Sequence, residues 1–387
     1  MFSHTMTSEP RKAARRHPTL KDESLEGEWP TPAWKREFRR KLHAWYDRHA
    51  RDLEWRRSSD PYRVWVSEIM LQQTQVATVA AYFPRFLAAF PTIEALAAAD
   101  EHDVLRLWEG LGYYRRARQL HRAAQIVVRE HGGRFPADRE AVRRLPGIGR
   151  YTAGAILSIA FDAREPIVEA NTIRLLSRLI AYRGDPRQKQ GTAILWKLAE
   201  ELLPQRGSSR LNQALMELGS LVCTPRAPGC TSCPVSDLCP TNRLSLQEVI
   251  PLPKAKPRVE TVREALIVVR RGTTVLLRQR QAGERWAGLW DFPRFGVEAA
   301  NGSLAEEIAE KLTATTGVVA AVAESIATLK HGVTRFRITL DCRWADCISS
   351  PRRRAGLRWV RPAQLGDFPM STTGRKVAKL ICECSDE

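Results

Sequence analysis

The sequence predicts two domains in series, an all-α domain ending in a metal-binding loop and then an α/β domain. Three observations support this. From Pro32 to about Leu246 apolar residues recur at spacings of three and four, as in Trp65, Ile69, Val76, Val79 and Phe83, and the runs break at Pro or Gly. Past residue 260 the texture becomes β-rich: Ala265–Arg270, Thr274–Arg278 and Phe336–Asp341 read as strands, and Ala305–Leu312 as a helix. Between the two stretches Pro251, Pro253 and Pro257 alternate with Lys254, Lys256 and Arg258, a composition that favours extended, unpacked backbone. The expected organisation is a tail over residues 1–30, a helical domain over 31–246, a linker over 247–260 and an α/β domain over 261–387.

A chain of 387 residues with 43% apolar content can fill two cores. Lys and Arg number 61 against 43 Asp and Glu, so the net charge is +18, which predicts attraction to a polyanion, with nucleic acid the first candidate. The longest near-continuous apolar run, Ala153–Phe161, is about half of the roughly 20 residues that cross a bilayer, so no membrane partner is expected. The first 30 residues mix Arg11, Lys12, Arg15 and Arg16 with Ser, Thr, Pro and acids and lack an apolar signal core. They read as a disordered basic tail. Four clustered cysteines and four scattered ones (Cys342, Cys347, Cys382, Cys384) fit a reducing compartment, so the expected location is cytoplasmic.

The helical domain ends in Cys223, Cys230, Cys233 and Cys239, spaced C-x6-C-x2-C-x5-C. Pro and Gly between them keep the segment out of regular helix or strand, so the sulfurs can converge. Four thiolates suit tetrahedral zinc or an iron–sulfur cluster. A zinc site usually shows two short C-x2-C arms, whereas only Cys230 and Cys233 form one here, and a [4Fe–4S] cluster fits better. Two disulfides are disfavoured because nothing in the sequence suggests secretion.

Two further stretches point to nucleic-acid chemistry. Leu145-Pro-Gly-Ile-Gly-Arg-Tyr-Thr-Ala-Gly-Ala155 lies between a helical stretch, Arg139–Arg144, and a small-residue helix running to Phe161, and looks like a helix-hairpin-helix. Gly147 and Gly149 let the backbone turn with its N–H groups outward at a helix N-terminus, where a phosphate oxygen is held without sequence readout. An ordinary αα-hairpin is the competing reading, disfavoured by the Leu-Pro-Gly-x-Gly order and the charge. Pro61–Val76 reads as a helix carrying one carboxylate, Glu68, beside Trp65 and Ile69. Such a carboxylate usually lies on a solvated face. Burial among these neighbours would raise its pKa and make it a proton donor near neutrality. Gln72, Gln73 and Thr74 are suited to hydrogen bonds with base edges.

Ser67-Glu-Ile-Met-Leu-Gln-Gln-Thr74, Trp108-Glu-Gly-Leu-Gly-Tyr-Tyr114, the hairpin, and Met216-Glu-Leu-Gly219 leading into the cysteines together resemble adenine DNA glycosylases of the MutY type, over about residues 32–245. The resemblance implies the endonuclease III fold with a [4Fe–4S] cluster and a partner in double-stranded DNA containing a mispaired adenine. It also implies a monomer, here nucleoid-associated. Excision then needs an acid to protonate the flipped adenine and an anion to stabilise an oxocarbenium-like sugar. By resemblance Glu68 is the acid. The second carboxylate belongs to a Val-Asp-Gly-Asn run, for which this chain has Val168-Glu-Ala-Asn171: Glu169 replaces Asp, Ala170 replaces Gly, and Asn171 is expected to cap a helix over Thr172–Tyr182. Glu is one methylene longer and Ala disfavours positive φ, so the two changes are expected to compensate in a shifted turn. Endonuclease III places a Schiff-base lysine just after the hairpin glycines. Tyr151 stands there in this chain, so a glycosylase that leaves an abasic site is expected.

Other positions implied by the resemblance are Arg56, Tyr151 near the sugar, Glu217 near the adenine, Thr74 on the DNA, and Gln73 and Tyr113 as wedges in the stack. For Glu217 helix packing is an almost equal alternative. In the second domain Trp286-Ala-Gly-Leu-Trp-Asp-Phe-Pro293 resembles the signature of the Nudix-like domain that inspects the base opposite adenine. The magnesium-cage positions are Glu310, Lys311, Ala314 and Thr315; three of the four acids are absent, so hydrolase activity is not expected. Val333, Thr334 and Arg335, after His331, stand where the family has a Phe-Ser-His triplet; Thr334 keeps a hydroxyl and Arg335 a donor. A DNA-binding protein without catalysis and an endonuclease III-like lyase on oxidised pyrimidines are the competing readings.

Overall fold

The computed structural model describes residues 28–253, 259–298, 304–352 and 354–383. Most of the expected basic tail, residues 1–27, and the linker residues 254–258 lie outside the described residues. The chain forms two compact units: one of Met1–Trp45, Ala170–Leu202 and Leu215–Pro253, the other of Tyr46–Glu169, Leu203–Ala214 and Lys254–Glu387. The helices up to the linker are α1 (Pro32–His49), α2 (Pro61–Leu71), α3 (Val76–Ala89), α4 (Ile93–Ala98), α5 (Glu101–Leu107), α6 (Arg115–His131), α7 (Arg139–Arg144), α8 (Arg150–Phe161), α9 (Ala170–Leu179), α10 (Lys189–Leu202), α11 (Ser208–Leu221) and α12 (Pro240–Arg243). Among the described residues no helix is long and apolar enough to cross a membrane.

In the first unit α9, α10 and the cysteine segment bury Leu175, Leu176, Leu179, Leu195, Leu198 and Leu218. Two arginines of α9 stitch the irregular cysteine loop to that core. Arg174 donates to the Cys223 and Gly219 carbonyls (both 2.6 Å), and Arg178 to the carbonyls of Thr224, Gln247 and Ile250 at 2.6–2.8 Å. The loop pairs part of its own backbone in short turns, as in Gly229 N–H to the Val222 carbonyl (2.9 Å), and the two arginines satisfy carbonyls those turns leave over.

The second unit's helical part is built around α2. Asp60 caps its first turn by accepting the Tyr62 N–H (2.7 Å), and Pro61 fits the first helical position. Residues Tyr62 and Val64 to Met70 are buried, so α2 is enclosed rather than amphipathic. Its core neighbours include Phe83, Phe86 and Trp108, all fully buried. On α8, Gly154 lets the chain after the helix fold back against it: a Cβ there would lie 2.5 Å from the Pro166 carbonyl.

The same unit contains a seven-stranded mixed sheet of β1 (Glu260–Arg271), β2 (Thr274–Gln279), β3 (Trp290–Asp291), β4 (Arg294–Gly296), β5 (Val319–Val333), β6 (Phe336–Ser349) and β7 (Leu357–Val360), with helices α13 (Leu304–Thr316) and α14 (Thr372–Glu383). Its main path is β3-β2-β1-β6-β5, with β4 on β1 and β7 on β2; β1 and β6 run parallel and the other pairs antiparallel. Alternate residues of β1 feed two cores. Leu266 and Val268 pack with Val377 and Ile381 of α14, whereas Ala265, Ile267 and Val269 pack with Ile308 and Leu312 of α13. The all-α plus α/β expectation therefore holds. The expected strands and helix are present but longer, and β3, β4, β5, β7 and α14 are additional.

Candidate active site

Glu68 is 5% exposed on α2, and Tyr151, in the first turn of α8, donates its hydroxyl to Glu68 Oε2 at 2.7 Å. One turn on, Gln72 donates to the Thr152 hydroxyl at 3.1 Å, so a single face of α2 meets consecutive residues of α8. Burial pushes the Glu68 carboxyl up to about 7; the Tyr151 hydrogen bond opposes this, the Glu169 charge adds to it, and Arg56 opposes it. Burial and the two carboxylates also push the Tyr151 phenol well above its ordinary value, so it stays a neutral donor. Arg56 is half-buried in a short 3-10 turn, donates to the Arg51 carbonyl (3.2 Å) and lies over the Tyr46 ring. Glu68, Tyr151, Arg56 and Glu169 thus form one electrostatic group. It pairs a carboxyl that holds a proton near neutrality with a second carboxylate, the division needed for acid and anion.

The segment after Glu169 departs from expectation. The helix begins at Ala170, so Asn171 lies inside its first turn instead of capping a helix from Thr172, and its Oδ1 accepts from Arg174 (2.9 Å). Ala170 has ordinary helical backbone; the glycine-like turn has been replaced by an earlier helix start. Asn171 packs beside Gly219, where a Cβ would lie 3.0 Å from it, and Glu217 on α11 is fully buried; both belong to the first unit.

The hairpin glycines divide their work. Gly147 has φ +80°, and a Cβ there would meet Gln119 at 2.9 Å, whereas Gly149 has an ordinary φ of −87° and precedes α8. Gly149 needs no conformational freedom. A Cβ built there would meet nothing within 4 Å, so the space before the helix N-terminus is open to a phosphate.

Gln73 and Tyr113 are exposed and both adopt left-handed backbone, φ 57° and 48°, which costs a non-glycine residue about 1–2 kcal/mol. Sequence reasoning missed what holds them there, the buried guanidinium of Arg116. One nitrogen donates to the carbonyls of Ile69, Met70 and Gln72 (2.5–2.9 Å), the other to the Thr74 hydroxyl (3.0 Å) and the carbonyls of Leu111 and Gly112 (3.2–3.3 Å). One side chain therefore fastens both loops, and it also lies over the Trp108 and Tyr113 rings. A signal existed: Arg116 falls on the same α6 stripe as Leu120, Ala123 and Val127.

Farther along the chain, Thr334 (φ 51°) and Arg335 form the β5–β6 turn. The Thr334 hydroxyl bonds the Val333 carbonyl (2.7 Å), and Arg335 pairs with Glu260 (3.1 Å). Behind the turn, His331 Nε2 lies 3.1 Å from Arg294, which also holds Glu264 (2.5 Å) and the Thr373 hydroxyl (2.9 Å). Trp286 carries Arg280, Arg285 and Arg294 against its ring. At the cage positions Lys311 donates to Glu307 (2.6 Å) and the Gly296 carbonyl (2.8 Å), filling space that a metal-binding carboxylate would need.

All four clustered cysteines are free thiols lining one cavity with Arg178, whose guanidinium donates to Cys223 Sγ at 3.3 Å. Among the described residues no three ligands are gathered tightly enough for a single ion; the sulfurs ring the cavity. Burial and the three neighbouring cysteines push the Cys233 thiol up to about 12.

Comparison with known proteins bears on this arrangement. Residues 66–201 match the HhH-GPD superfamily base excision DNA repair protein model, and residues 264–380 match the NUDIX domain. An adenine DNA glycosylase of Mus musculus is 35% identical over 399 aligned residues, which cover 89% of this chain and 77% of that protein. The chain belongs to the adenine DNA glycosylase family. A relative from Buchnera aphidicola is 36% identical over 255 residues, covering 66% of this chain and 74% of its own length. The human adenine DNA glycosylase is 46% identical over 220 residues, and there the match spans 40% of the relative. Among solved structures, a thermostable thymine-DNA glycosylase superposes with a TM-score of 0.51 at 29% identity, covering 55% of this chain and 98% of that one. The glycosylase fold in this member is followed by the Nudix-like α/β part.

Proposed function

We propose that this adenine DNA glycosylase family member hydrolyses the N-glycosidic bond of adenine mispaired with 8-oxoguanine or guanine in double-stranded DNA, acting as a monomer and without a lyase step. The observation that carries this reading is Glu68, buried, hydrogen-bonded by Tyr151 and held near neutral pKa beside Glu169. Glu68 gives its proton to a ring nitrogen of the flipped adenine, which makes the base a viable leaving group. As the bond breaks, positive charge grows on the sugar and Glu169 offsets it. Water adds to the sugar carbon and gives up its proton to the Glu68 carboxylate, restoring the acid, and Tyr151, whose hydroxyl donates to Glu68, fixes that carboxyl's orientation. Gln73 and Tyr113 fill the gap left in the base stack, and Thr74, Gly147 and Gly149 contact the strand.

Catalysis falls to residues 31–246. Inspection of the opposite base falls to residues 261–387 through Thr334 and Arg335, with 247–260 joining them. Cys223, Cys230, Cys233 and Cys239 would hold a [4Fe–4S] cluster: four free thiols around one cavity, with a guanidinium donating to one sulfur, suit its donor set. Bound there, the cluster supplies cross-links that tie the loop. The expected iron content is about four atoms per chain, with matching sulfide; a zinc-only preparation would overturn the assignment.

The deciding assay is single-turnover excision on adenine:8-oxoguanine and adenine:guanine duplexes, followed by alkali. Strand cleavage after alkali is expected. No cleavage at micromolar enzyme would sink the reading in favour of a binding protein, and a complex trapped by borohydride would favour the lyase.

A further inference from the structure

The loop that presents Tyr113 is held from two sides, and the second side belongs to the α/β part of the chain. Residues Glu109 to Tyr114 contain three left-handed positions, Gly110 (φ +98°), Gly112 (φ +71°) and Tyr113 (φ 48°), and such a loop persists only when its surroundings over-determine it. Arg116 secures its Leu111 and Gly112 carbonyls. Opposite, both oxygens of Glu109 are taken by Arg375 of α14, Nε at 2.7 Å and a terminal nitrogen at 2.9 Å, and the Met370 N–H adds a third bond at 3.0 Å. Arg375 also donates to the carbonyls of Leu365 (2.7 Å) and Phe368 (2.6 Å), so the guanidinium is fixed within its own segment before it reaches Glu109. Tyr114, 6% exposed, donates to the Met370 carbonyl (3.3 Å) and accepts the Gly110 N–H (3.2 Å).

We infer that Glu109 and Arg375 are a positioning pair, through which the α/β domain sets where Tyr113 stands at the DNA surface. The inference rests on the proposed adenine excision, since Tyr113 matters only if a base is to be displaced. The contacts distinguish this pair from a surface ion pair of little worth: it is bidentate, its two side chains are 22% and 17% exposed, and backbone donors and acceptors fix both ends. Four residues separate Glu109 from Tyr113, and Arg116 grips the intervening carbonyls, so a shift of Glu109 carries to Tyr113 with little slack. Inspection and displacement would then be coupled through one short loop.

The test uses the full chain in four forms: wild type, Arg375→Met, Tyr113→Ala and the double variant. Each is measured by single-turnover excision and by fluorescence of 2-aminopurine placed beside the target adenine, which reports unstacking in the bound duplex. For a loop displaced by a fraction of an ångström, Arg375→Met should slow excision roughly tenfold in the wild-type background and less than about twofold in the Tyr113→Ala background. Equal losses in both backgrounds, or none in the first, would overturn the inference. Should Arg375→Met not fold, Glu109→Gln enters the same cycle with the same expectation. If wild type excises nothing, the proposed function falls, and the unstacking signal still reads the pair: it must drop in Arg375→Met only when Tyr113 is present.

Discussion

Glu68→Gln is expected to slow adenine excision by roughly 10²–10⁴-fold while leaving duplex affinity within a few-fold, because the amide keeps the volume and accepts the Tyr151 hydroxyl but has no proton to give. Wild-type excision should fall as pH rises through about 7, where Glu68 loses its proton. The same substitution should stabilise the fold, and the sign follows from linkage. The folded chain keeps the proton up to about pH 7 and the unfolded chain releases it near 4.5, so Glu68 favours the fold at low pH. Above pH 7 its buried charge disfavours the fold by at most about 3 kcal/mol. Glu68→Gln should therefore melt higher than wild type at pH 8, with the two converging towards pH 5. Thermal melts at the two pH values, beside single-turnover rates, check this; an active variant, or one no more stable at pH 8, would move the acid elsewhere. Such a residue trades stability for chemistry.

What the sequence made legible follows from the range of the interactions. Helical periodicity, the hairpin glycines and the clustered cysteines are local patterns, and the elements they predict are present. Burial of Glu68 was legible as a condition, through Trp65 and Ile69 beside it. Strand β5 was not, because Ala320, Ala321, Ala323 and Ala327 are poor strand formers and the segment is held by its long register with β6. Arg116 was hidden for a related reason. Its place on the apolar stripe of α6 is a local mark of burial, but its six acceptors come from segments separated from it by up to 47 residues, so what it holds is not legible locally. The pairing of Glu109 with Arg375 spans 266 residues and is still less visible. At Asn171 a local rule did mislead: a cap expected from an Asn before a helical run gave way to a helix starting at Ala170.

That early helix start sharpens the expectation for Glu169. The run that this chain resembles has Asp-Gly where Glu169 and Ala170 stand, and Gly permits a turn that Ala disfavours. Here Ala170 is already helical, so the backbone next to Glu169 is set by the helix start, and a catalytic role for Glu169 needs its longer side chain to make up the reach. Glu169→Asp alone should then slow excision by roughly a hundredfold, for a carboxylate withdrawn by about 1 Å, and adding Ala170→Gly should not restore it, since no left-handed turn waits to be released. Glu169→Gln keeps length and removes charge, and the loss expected is roughly 10²–10³-fold, the scale of losing one preorganised electrostatic partner of the transition state. It should also move the pH at which excision fails downwards, because the Glu169 charge helps to hold the proton on Glu68. The rate and the pH limb separate the two roles. A variant that loses rate without moving the limb would place Glu169 near the sugar but away from Glu68, and one that moves the limb at full rate would leave the sugar without its anion.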